Sequence, residues 1–587
     1  MRKTKIVATL GPASNSTKII KGLINAGMNS ARINFSHGTH ESHGEIIKKL
    51  KEAREAMNVP VSLLLDTKGP EIRIKSFKVP SIFLKKGNTF TLCKEDIEGD
   101  ETRVSVTYSN LADDVSIGSK IFLDDALIEL KVNSIDGHDV ECIVMNDGEL
   151  TANKGVNLPD SKVNLPSLTQ KDIEDIKFGI ENGFDFVAAS FVRSAKDVLE
   201  IRQVLDEFDG SSVSIIAKIE SREGVDNLES ILEVADGIMV ARGDLGVEIP
   251  PEEVPLVQKK LIQKANSIGK PVITATQMLE SMVSNPRPTR AEANDVANAI
   301  FDGTDAIMLS GETAKGAYPV EAVRMMNQIA LQIEGSQDYN ESLKLRHSNN
   351  IINVTNAVSY ASCNIASDLG ASTIVTVTNS GFTARMIAKY KPNCPILVAT
   401  ANKVTLRQVN LSWGCFPKLV SQYKNQDELF ESANKSALSS EFAKNGDVIV
   451  IVAGVPVGIT GSTNLVRVQI AGDMLTKGRG IGSGKVVGKS FVIKPSEDFA
   501  QRAFQDGDIL VASTTNDDMI PYIRKAGAII IGSNQNIDTM HAEISCKALN
   551  KPLIICNDRI IDLIRTGTTL TIDCDKGFVY NGDIDAK

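Results

Sequence analysis

Lys218 and Glu220 close the apolar run "VSIIAKIE" at residues 213–220. Residues two apart in a strand face the same side, so a cation and an anion stand together at the end of a buried strand. Other apolar runs in the first 312 residues end in the same way. They close on Arg32, Asn34, Ser36 and His37; on Asp66 and Thr67, followed by Lys68 and Arg73; on Arg242, Gly243 and Asp244; on Thr274 and Thr276; and on Ser310 and Glu312. Glu220 and Asp244 are hard oxygen donors, and two carboxylates completed by water and substrate oxygens are a common way to hold Mg²⁺. Lys218 beside them places positive charge on a transferring or developing anion. Arg32 and Arg73 suit bidentate contact with phosphate. Asn34, Ser36, Asp66 and Thr67 form a second oxygen cluster with a single negative charge, which suits a monovalent cation. Together these groups describe phosphoryl transfer. An imine-forming lysine is the competing chemistry, but a metal-ligand carboxylate on the same face keeps Lys218 charged and makes it a poor imine former.

Residues from different strands converge on one site only if the strands share an architecture. Eight runs, "KIVATL" (5–10), "ARINF" (31–35), "VSLLLD" (61–66), "DFVAAS" (185–190), "VSIIAKIE" (213–220), "GIMVAR" (237–242), "PVITAT" (271–276) and "DAIMLS" (305–310), are near-continuous and rich in β-branched residues. Strands buried on both faces read this way. The segments between them carry helical spacing, as in "KDIEDIKFGIENG" (171–183) with its terminal glycine. Eight β/α units predict a TIM (β/α)8 barrel with its chemistry at the C-terminal strand ends. Residues 70–165 break the rhythm with short alternating runs ("NTFTLC", "TRVSVTY", "KIFLDD", "DVECIVM") between turn residues. They predict an inserted β-rich lid domain. The barrel therefore takes residues 1–69 and 166–342. A helix and the strands "STIVTVT", "PILVAT" and "DVIVIVAG" make 343–473 an α/β open-sheet domain. A small extra C-terminal domain follows at 474–587, with "DGDILVAST" and "AGAIIIGS" as core strands.

The bulk properties restrict partners. The 587-residue chain is long enough for about three to five domains. A net charge of −9 argues against nucleic acid as a partner. The eight cysteines include no C-x-x-C pair, so they read as reduced thiols of a cytoplasmic protein. "MRKTKIVATLGPAS" turns polar too soon for a signal peptide. "VIVIVAGVPVGI", from Val448, is too short and too broken to cross a membrane.

"KIVATLGPAS", "ARINFSHG", "LLDTKGPEIR", "KGVNLP", "IIAKIES", "IMVARGDLGVEIP", "ITATQMLESM", "PTRAEANDVANAI" and "MLSGETAKGAYP" occur in this order, and over residues 1–470 the chain resembles the pyruvate kinases. The resemblance implies transfer of the phosphoryl group of phosphoenolpyruvate to ADP, giving pyruvate and ATP. It places the substrate phosphate on Arg32 and Lys218 and Mg²⁺ (or Mn²⁺) on Glu220 and Asp244. The substrate carboxylate falls against the backbone of Ala241, Arg242 and Gly243, beside Asp244 and the Thr276 hydroxyl. Nucleotide contacts fall on Asn34, Phe35, Ser36, His37, Arg73 and Lys154, and K⁺ on Asn34, Ser36, Asp66 and Thr67. Lys218, Arg32, Arg73 and Thr276 are the catalytic set, with Thr276 nearest the protonation of enolpyruvate. A homotetramer is the family's assembly.

Two further regions carry ligand signals. "TVTNSGFTAR" (376–385) follows a strand and opens a helix, a place where hydroxyls and backbone N–H groups hold phosphate. The resemblance makes Thr378, Asn379, Ser380, Gly381 and Thr383 the site of an allosteric sugar phosphate. Its second loop, "AGVPVGITGSTN" (453–464), lacks the tryptophan and arginine that grip a second phosphate in some relatives. AMP and ribose 5-phosphate therefore stand beside fructose 1,6-bisphosphate as effectors. The tail resembles the swivelling phosphohistidine domain of phosphoenolpyruvate-utilising enzymes, with His541 in the matching stretch "TMHAEISCKALNKPLII". Met540 replaces the serine before the histidine, and Glu543 adds a negative charge unfavourable to a phosphohistidine. The tail therefore reads as a structural or regulatory appendix. A dikinase-like phosphotransferase using His541 and a catalytically silent effector-binding scaffold are the alternatives. The first lacks an ATP-grasp domain, and the second is opposed by the intact set Arg73, Lys218, Glu220 and Asp244.

Members of the family that need potassium carry glutamate at the position of Glu71. Turnover of phosphoenolpyruvate and ADP with Mg²⁺ is therefore expected to be fast in K⁺ buffer and at least about tenfold slower in Na⁺. Equal rates in the two buffers would remove the monovalent site.

Overall fold

Alternation within each buried run decides which side chains reach the barrel interior. In the computed structural model the strands Lys5–Leu10, Ser30–Asn34, Ser62–Asp66, Phe186–Ala189, Ser214–Ile219, Gly237–Ala241, Val272–Ala275 and Ala306–Leu309 close into one parallel barrel in chain order. The structure describes the chain except residues 160, 337–352, 456–462, 473, 495–503, 534–537, 558–559 and 584–587. Ile6, Ala8, Leu63, Leu65, Val187, Ile215, Ala217 and Ile219 face outward into the layer shared with the helices. Val7, Leu64, Phe186, Ala188, Ile216, Met239 and Ile273 pack inside the barrel. Two residues further along, the inward series reaches Thr9, Asp66, Ser190 and Lys218, and then Glu220. The mouth is thus furnished by strand register, and Asn34 sits opposite Asp66 in the ladder, with Ala188 on the other side.

The lid has a core of its own, built on Phe90, Leu92, Val104, Ile121, Leu130, Val140 and Cys142. Six strands form one sheet, in the order Val156–Asn157, Lys120–Leu123, Ile128–Asp136, Asp139–Val144, Thr89–Cys93, Arg103–Ser105. Gly148–Thr151 pairs separately with Ser81–Leu84. The ends of the lid meet: Arg73 bridges Gly155, Ile74 N–H donates to Lys154 O at 2.9 Å, and Val156 N–H donates to Ile72 O at 2.8 Å.

Two crossings join lid to barrel. On the outgoing one Gly69 has φ +72, and its N–H donates to Asp172 Oδ1 at 3.0 Å, at the start of the helix Gln170–Glu181. On the return, the carbonyls of Val163 and Leu165 each accept from the Arg193 guanidinium at 2.7 Å.

Further along the chain, Cys415–Leu419, Ile396–Thr400, Thr373–Val377, Val448–Ala453 and Leu465–Ile470 form a five-stranded sheet in that order. An eight-stranded sheet follows, in the order Met474–Lys477, Phe578–Asn581, Thr569–Asp573, Lys485–Ile493, Ile509–Ala512, Ala528–Gly532, Leu553–Cys556, Arg479–Ile481. The chain divides into two compact units. The first holds Met1–Cys363, Thr376–Gln422 and Val452–Leu465; the second holds Asn364–Val375, Tyr423–Ile451 and Val466–Lys587. Among the described residues no helix is long and apolar enough to cross a membrane.

The hinge glycine gives the first structural prediction. A Cβ at Gly69 would lie 2.8 Å from Ser190 Cβ and 2.9 Å from the Phe191 ring, in a left-handed conformation. Gly69→Ala is expected to lower stability by about 1–3 kcal/mol, measured by denaturant unfolding. An unchanged midpoint would mean that the crossing adjusts freely.

Candidate active site

Buried charge organises the barrel mouth. Asp66, 1 % exposed, accepts from Arg32 Nε at 2.6 Å on Oδ2 and from Lys218 Nζ at 3.1 Å on Oδ1. The Arg32 guanidinium is held from its other side by Thr9 Oγ1 at 2.9 Å. Lys218 also donates to Ser190 Oγ at 2.7 Å. Glu220 Oε1 lies 2.9 Å from Lys218 Nζ, close enough to pair but without hydrogen-bond alignment, and is buried with no hydrogen-bond partner. Glu220 Oε2 accepts the backbone N–H of Phe191 at 2.6 Å. Phe191 has φ +56, a conformation rare for a bulky residue; it aims this N–H at the carboxylate.

Burial and pairing set the protonation of the group. Burial alone would depress the Lys218 ammonium, but Asp66, Glu220 and Asp244 outweigh it and hold its pKa above the ordinary lysine value. Burial would raise Asp66, but Arg32 and Lys218 hold it below the usual carboxylate range. For Glu220 burial prevails over Lys218, with Asp244 adding repulsion, and its pKa is raised. The pair is asymmetric: Lys218 is firmly charged, while Glu220 lacks a full complement of positive charge.

These residues line a cavity of about 550 Å³ that also takes in Asn34, Ser36, His37, Lys68, Glu71, Arg73, Asn153 and Asp244. A second cavity, of about 620 Å³, lies between lid and barrel. Arg73, Glu71, Glu220 and Asp244 line both cavities, whereas Lys154 lines only the second. Arg73 Nε donates to Glu71 Oε2 at 2.7 Å and Nη1 to Asn153 O at 2.7 Å. Lys154 pairs with Asp124 at 2.8 Å.

Not every residue picked out by sequence lines these cavities. The Phe35 ring is 1 % exposed and packs among His40, His43, Phe178 and Phe184. Thr67 is buried, its hydroxyl accepting from Ser190 N–H at 3.1 Å. Asn34 Oδ1 accepts Ser36 N–H at 3.0 Å. At strand six, Arg242 is committed to a bidentate pair with Asp295 at 2.6 and 2.7 Å, and donates to Thr276 O at 2.7 Å. Ala241 is buried at the start of this turn, and Gly243 N–H donates to Thr276 Oγ1 at 2.8 Å. Thr276 itself has φ +70, strain of the kind that active sites retain. Thr274 is fully buried, its hydroxyl donating to that of Thr304. Glu312 is also buried and structural, accepting the N–H groups of Leu279 and Ser310. Sequence reasoning missed Thr9, Ser190, Phe191 and Arg193. The fourth strand run, "DFVAAS", ends in the signal that could have found Ser190.

Outside the barrel mouth, Gly381 has φ +76 and donates its N–H to Thr378 Oγ1 at 3.1 Å, ahead of the helix Phe382–Ala388. Thr383 Oγ1 contacts Thr463 Oγ1 at 3.0 Å. The carbonyls of Asn379 and Ser380 accept from Thr405 Oγ1 and from Arg385. Most of the second effector loop, 456–462, lies outside the described residues. In the tail, His541 Nδ1 is 2.8 Å from Thr515 Oγ1 and Nε2 is 3.2 Å from Asp517 Oδ1. Glu543 is paired with Arg479 at 2.5 Å. The negative charge facing the imidazole is therefore that of Asp517, not of Glu543. Burial pushes the Cys546 thiol up to about 12, as suits a small core residue.

A closed barrel whose mouth gathers lysine and arginine side chains among carboxylates is the architecture of a barrel-type phosphotransferase. Residues 1–323 match the family model "pyruvate kinase, barrel domain", residues 356–469 "pyruvate kinase, alpha/beta domain", and residues 504–577 "PEP-utilising enzyme, mobile domain". The chain is 50 % identical to a pyruvate kinase of Geobacillus stearothermophilus over 583 residues, and 48 % identical to that of Bacillus licheniformis over 584, covering 99 % of each chain in both cases. A crystal structure of a pyruvate kinase from Cryptosporidium parvum superposes with a TM-score of 0.76 at 39 % identity, over 80 % of this chain and 96 % of the other. The chain belongs to the pyruvate kinase family, including its form with the additional C-terminal domain.

The paired Asp66 yields a pH prediction. Its folded pKa lies below the unfolded one, so its stabilisation is complete above about pH 4 and is lost as pH falls through the folded value. Asp66→Asn is expected to cost about 3 kcal/mol at neutral pH and to flatten the acid limb of the stability curve, read by denaturant unfolding at a series of pH values. An acid limb unchanged in Asp66→Asn would show that other carboxylates set it.

Proposed function

We propose that the barrel mouth performs the phosphoenolpyruvate-to-ADP transfer of its family with Lys218 as the group that meets the moving phosphoryl. The observation that carries this reading is an ammonium kept charged in a buried cavity beside a carboxylate oxygen that lacks a hydrogen-bond partner. Glu220 Oε1, without an aligned hydrogen bond, and Asp244, which lines the same cavities from the helix Arg242–Glu248 after the next strand, fit a Mg²⁺ ion. Among the described residues no cluster of three or more acidic, histidine or cysteine ligands is preformed, which suits an ion completed by substrate oxygens. Asn34, Ser36, Asp66 and Thr67 fit K⁺ by their oxygen chemistry. When bound, the divalent ion would supply positive charge to phosphate and enolate oxygens.

The chain's own groups do the rest. Arg32, fixed by Asp66 and Thr9, offers its remaining N–H groups to the substrate phosphate. Lys218 neutralises charge as the phosphoryl leaves the enolate oxygen. Arg73, lining both cavities, and Lys154 on the lid side meet the phosphates of ADP. The turn Ala241–Gly243 and the Thr276 hydroxyl hold the substrate carboxylate and lie nearest the carbon that takes up a proton, through water. The Thr378–Thr383 loop binds a phosphorylated effector, a sugar phosphate or AMP, within a homotetramer. The tail serves that assembly rather than a histidine-phosphate cycle. The enzyme works in the cytoplasm, where its eight free cysteines stay reduced.

Lys218→Met is expected to lower kcat by at least about 10³ while phosphoenolpyruvate and Mg²⁺ still bind, because a group that acts mainly in the transition state is read in kcat. Steady-state kinetics and equilibrium binding of each ligand provide the check. Lost substrate binding with turnover intact at saturation would reassign Lys218 to simple binding.

A further inference from the structure

The fourth barrel strand supplies no charged group to the mouth, yet its last turn touches both members of the Lys218–Glu220 pair. Ser190 is 5 % exposed. Its Oγ donates to Thr67 O at 2.7 Å, and its backbone N–H donates to Thr67 Oγ1 at 3.1 Å. Thr67 is in turn tied back to the fourth strand, its N–H donating to Ala188 O at 3.0 Å. The Ser190 hydroxyl has one proton, with Thr67 O at 2.7 Å and Asp66 Oδ1 at 3.4 Å as its acceptors, and because an ammonium accepts no hydrogen bond, the hydroxyl can only offer Lys218 a lone pair. Lys218 Nζ meets that lone pair at 2.7 Å, shorter than its 3.1 Å contact with Asp66 Oδ1.

An ammonium on four methylenes is a rotatable point charge. Two carboxylates, Asp66 at 3.1 Å and Glu220 at 2.9 Å, compete for it. Held by them alone, it is free to shift toward either charge. A neutral acceptor fixed on a third side stops this without cancelling its charge. With one N–H on Ser190 and one on Asp66, the third is left on the side of Glu220, whose Oε1 lies at 2.9 Å.

We propose that Ser190 is a positioning residue for the reaction: its hydroxyl, an acceptor toward Lys218, fixes the ammonium on a third side between Asp66 and Glu220, so that its charge is held in place at the cavity for the transferring phosphoryl. This rests on the assignment of Lys218 made above. Ser190 touches no substrate and acts only through Lys218.

The test compares Ser190→Ala and Ser190→Thr with the unaltered full-length enzyme. Loss of one hydrogen bond to a charged group predicts a fall in kcat of about ten- to hundredfold in Ser190→Ala. The KM for phosphoenolpyruvate, the melting temperature and the Mn²⁺ affinity by electron paramagnetic resonance should change by less than about twofold or a few degrees. Ser190→Thr keeps the hydroxyl and should recover most of kcat. An unchanged kcat in Ser190→Ala overturns the proposal. So does a fall in kcat matched by equal losses of melting temperature and Mn²⁺ affinity, which would be a general structural defect. If Ser190→Ala does not fold, Ser190→Cys, close in size but a weak acceptor, takes its place under the same criteria. Lys218→Met separates the two readings. If it retains turnover, the role of Lys218 fails; if it is inactive while Ser190→Ala is normal, only the role of Ser190 fails.

Discussion

A carboxylate with almost no exposure stays ionised inside a barrel only if cations are brought to it, and Asp66 has two. Removing either partner would leave an uncompensated buried charge, a cost of about 3–5 kcal/mol. The arrangement is therefore self-enforcing. Arg32 from the second strand and Lys218 from the fifth are held at the mouth because Asp66 from the third needs both. Both cations are fixed in place by the fold itself, and electrostatic catalysis depends on such preorganisation. Glu220 is the counterpart. It shares the burial but not the full pairing, and it lines both cavities together with Asp244.

The mouth is tied to the inserted domain through neighbours that carry no charge. Ser190 and Phe191 contact Lys218 and Glu220 on one side. On the other they crowd the space beside Gly69, where the chain leaves for the lid. Arg193, two residues on, clamps the returning segment. One turn after the fourth strand thus touches the reacting groups and both crossings. Lid position and active-site geometry share residues, a physical basis for closure to affect chemistry.

The barrel was legible because its strands are buried on both faces. "SLLLD" and "SIIAKI" have no solvent side, so their boundaries and their polar ends could be read from the chain. Charged residues at those ends stood out, and the structure brings Arg32, Asp66, Arg73, Lys218, Glu220 and Asp244 to the cavities as expected. Ser190 and Phe191 escaped notice because a serine and a phenylalanine after an apolar run look like an ordinary strand end; their roles lie in a hydroxyl's direction and a backbone N–H. Phe35 differs: its position in "ARINFSHG" points to a nucleotide contact, and with its ring in the core only its backbone is left to make one. In the later domains Cys415–Leu419 was missed because Pro417 argues against a strand. It is an edge strand, where proline is tolerated. In the lid, Ser81–Leu84 was missed because its outward Phe83 is exposed and blurs the alternation.

The meeting of the lid's two ends bears on how the chain is made as well as on how it works. The third and fourth barrel strands are neighbours in the ladder but lie about 120 residues apart in sequence. A lid with its own core can fold as it is synthesised, before the fourth strand exists. Once Arg73 and Gly155 are paired, the open loop between the two strands shrinks to about a third of that length, which lowers the entropy of closing the barrel by about 1 kcal/mol. The insertion would then also act as a staple for the pairing of the third and fourth strands, and the order of domain folding would be written into the point of insertion.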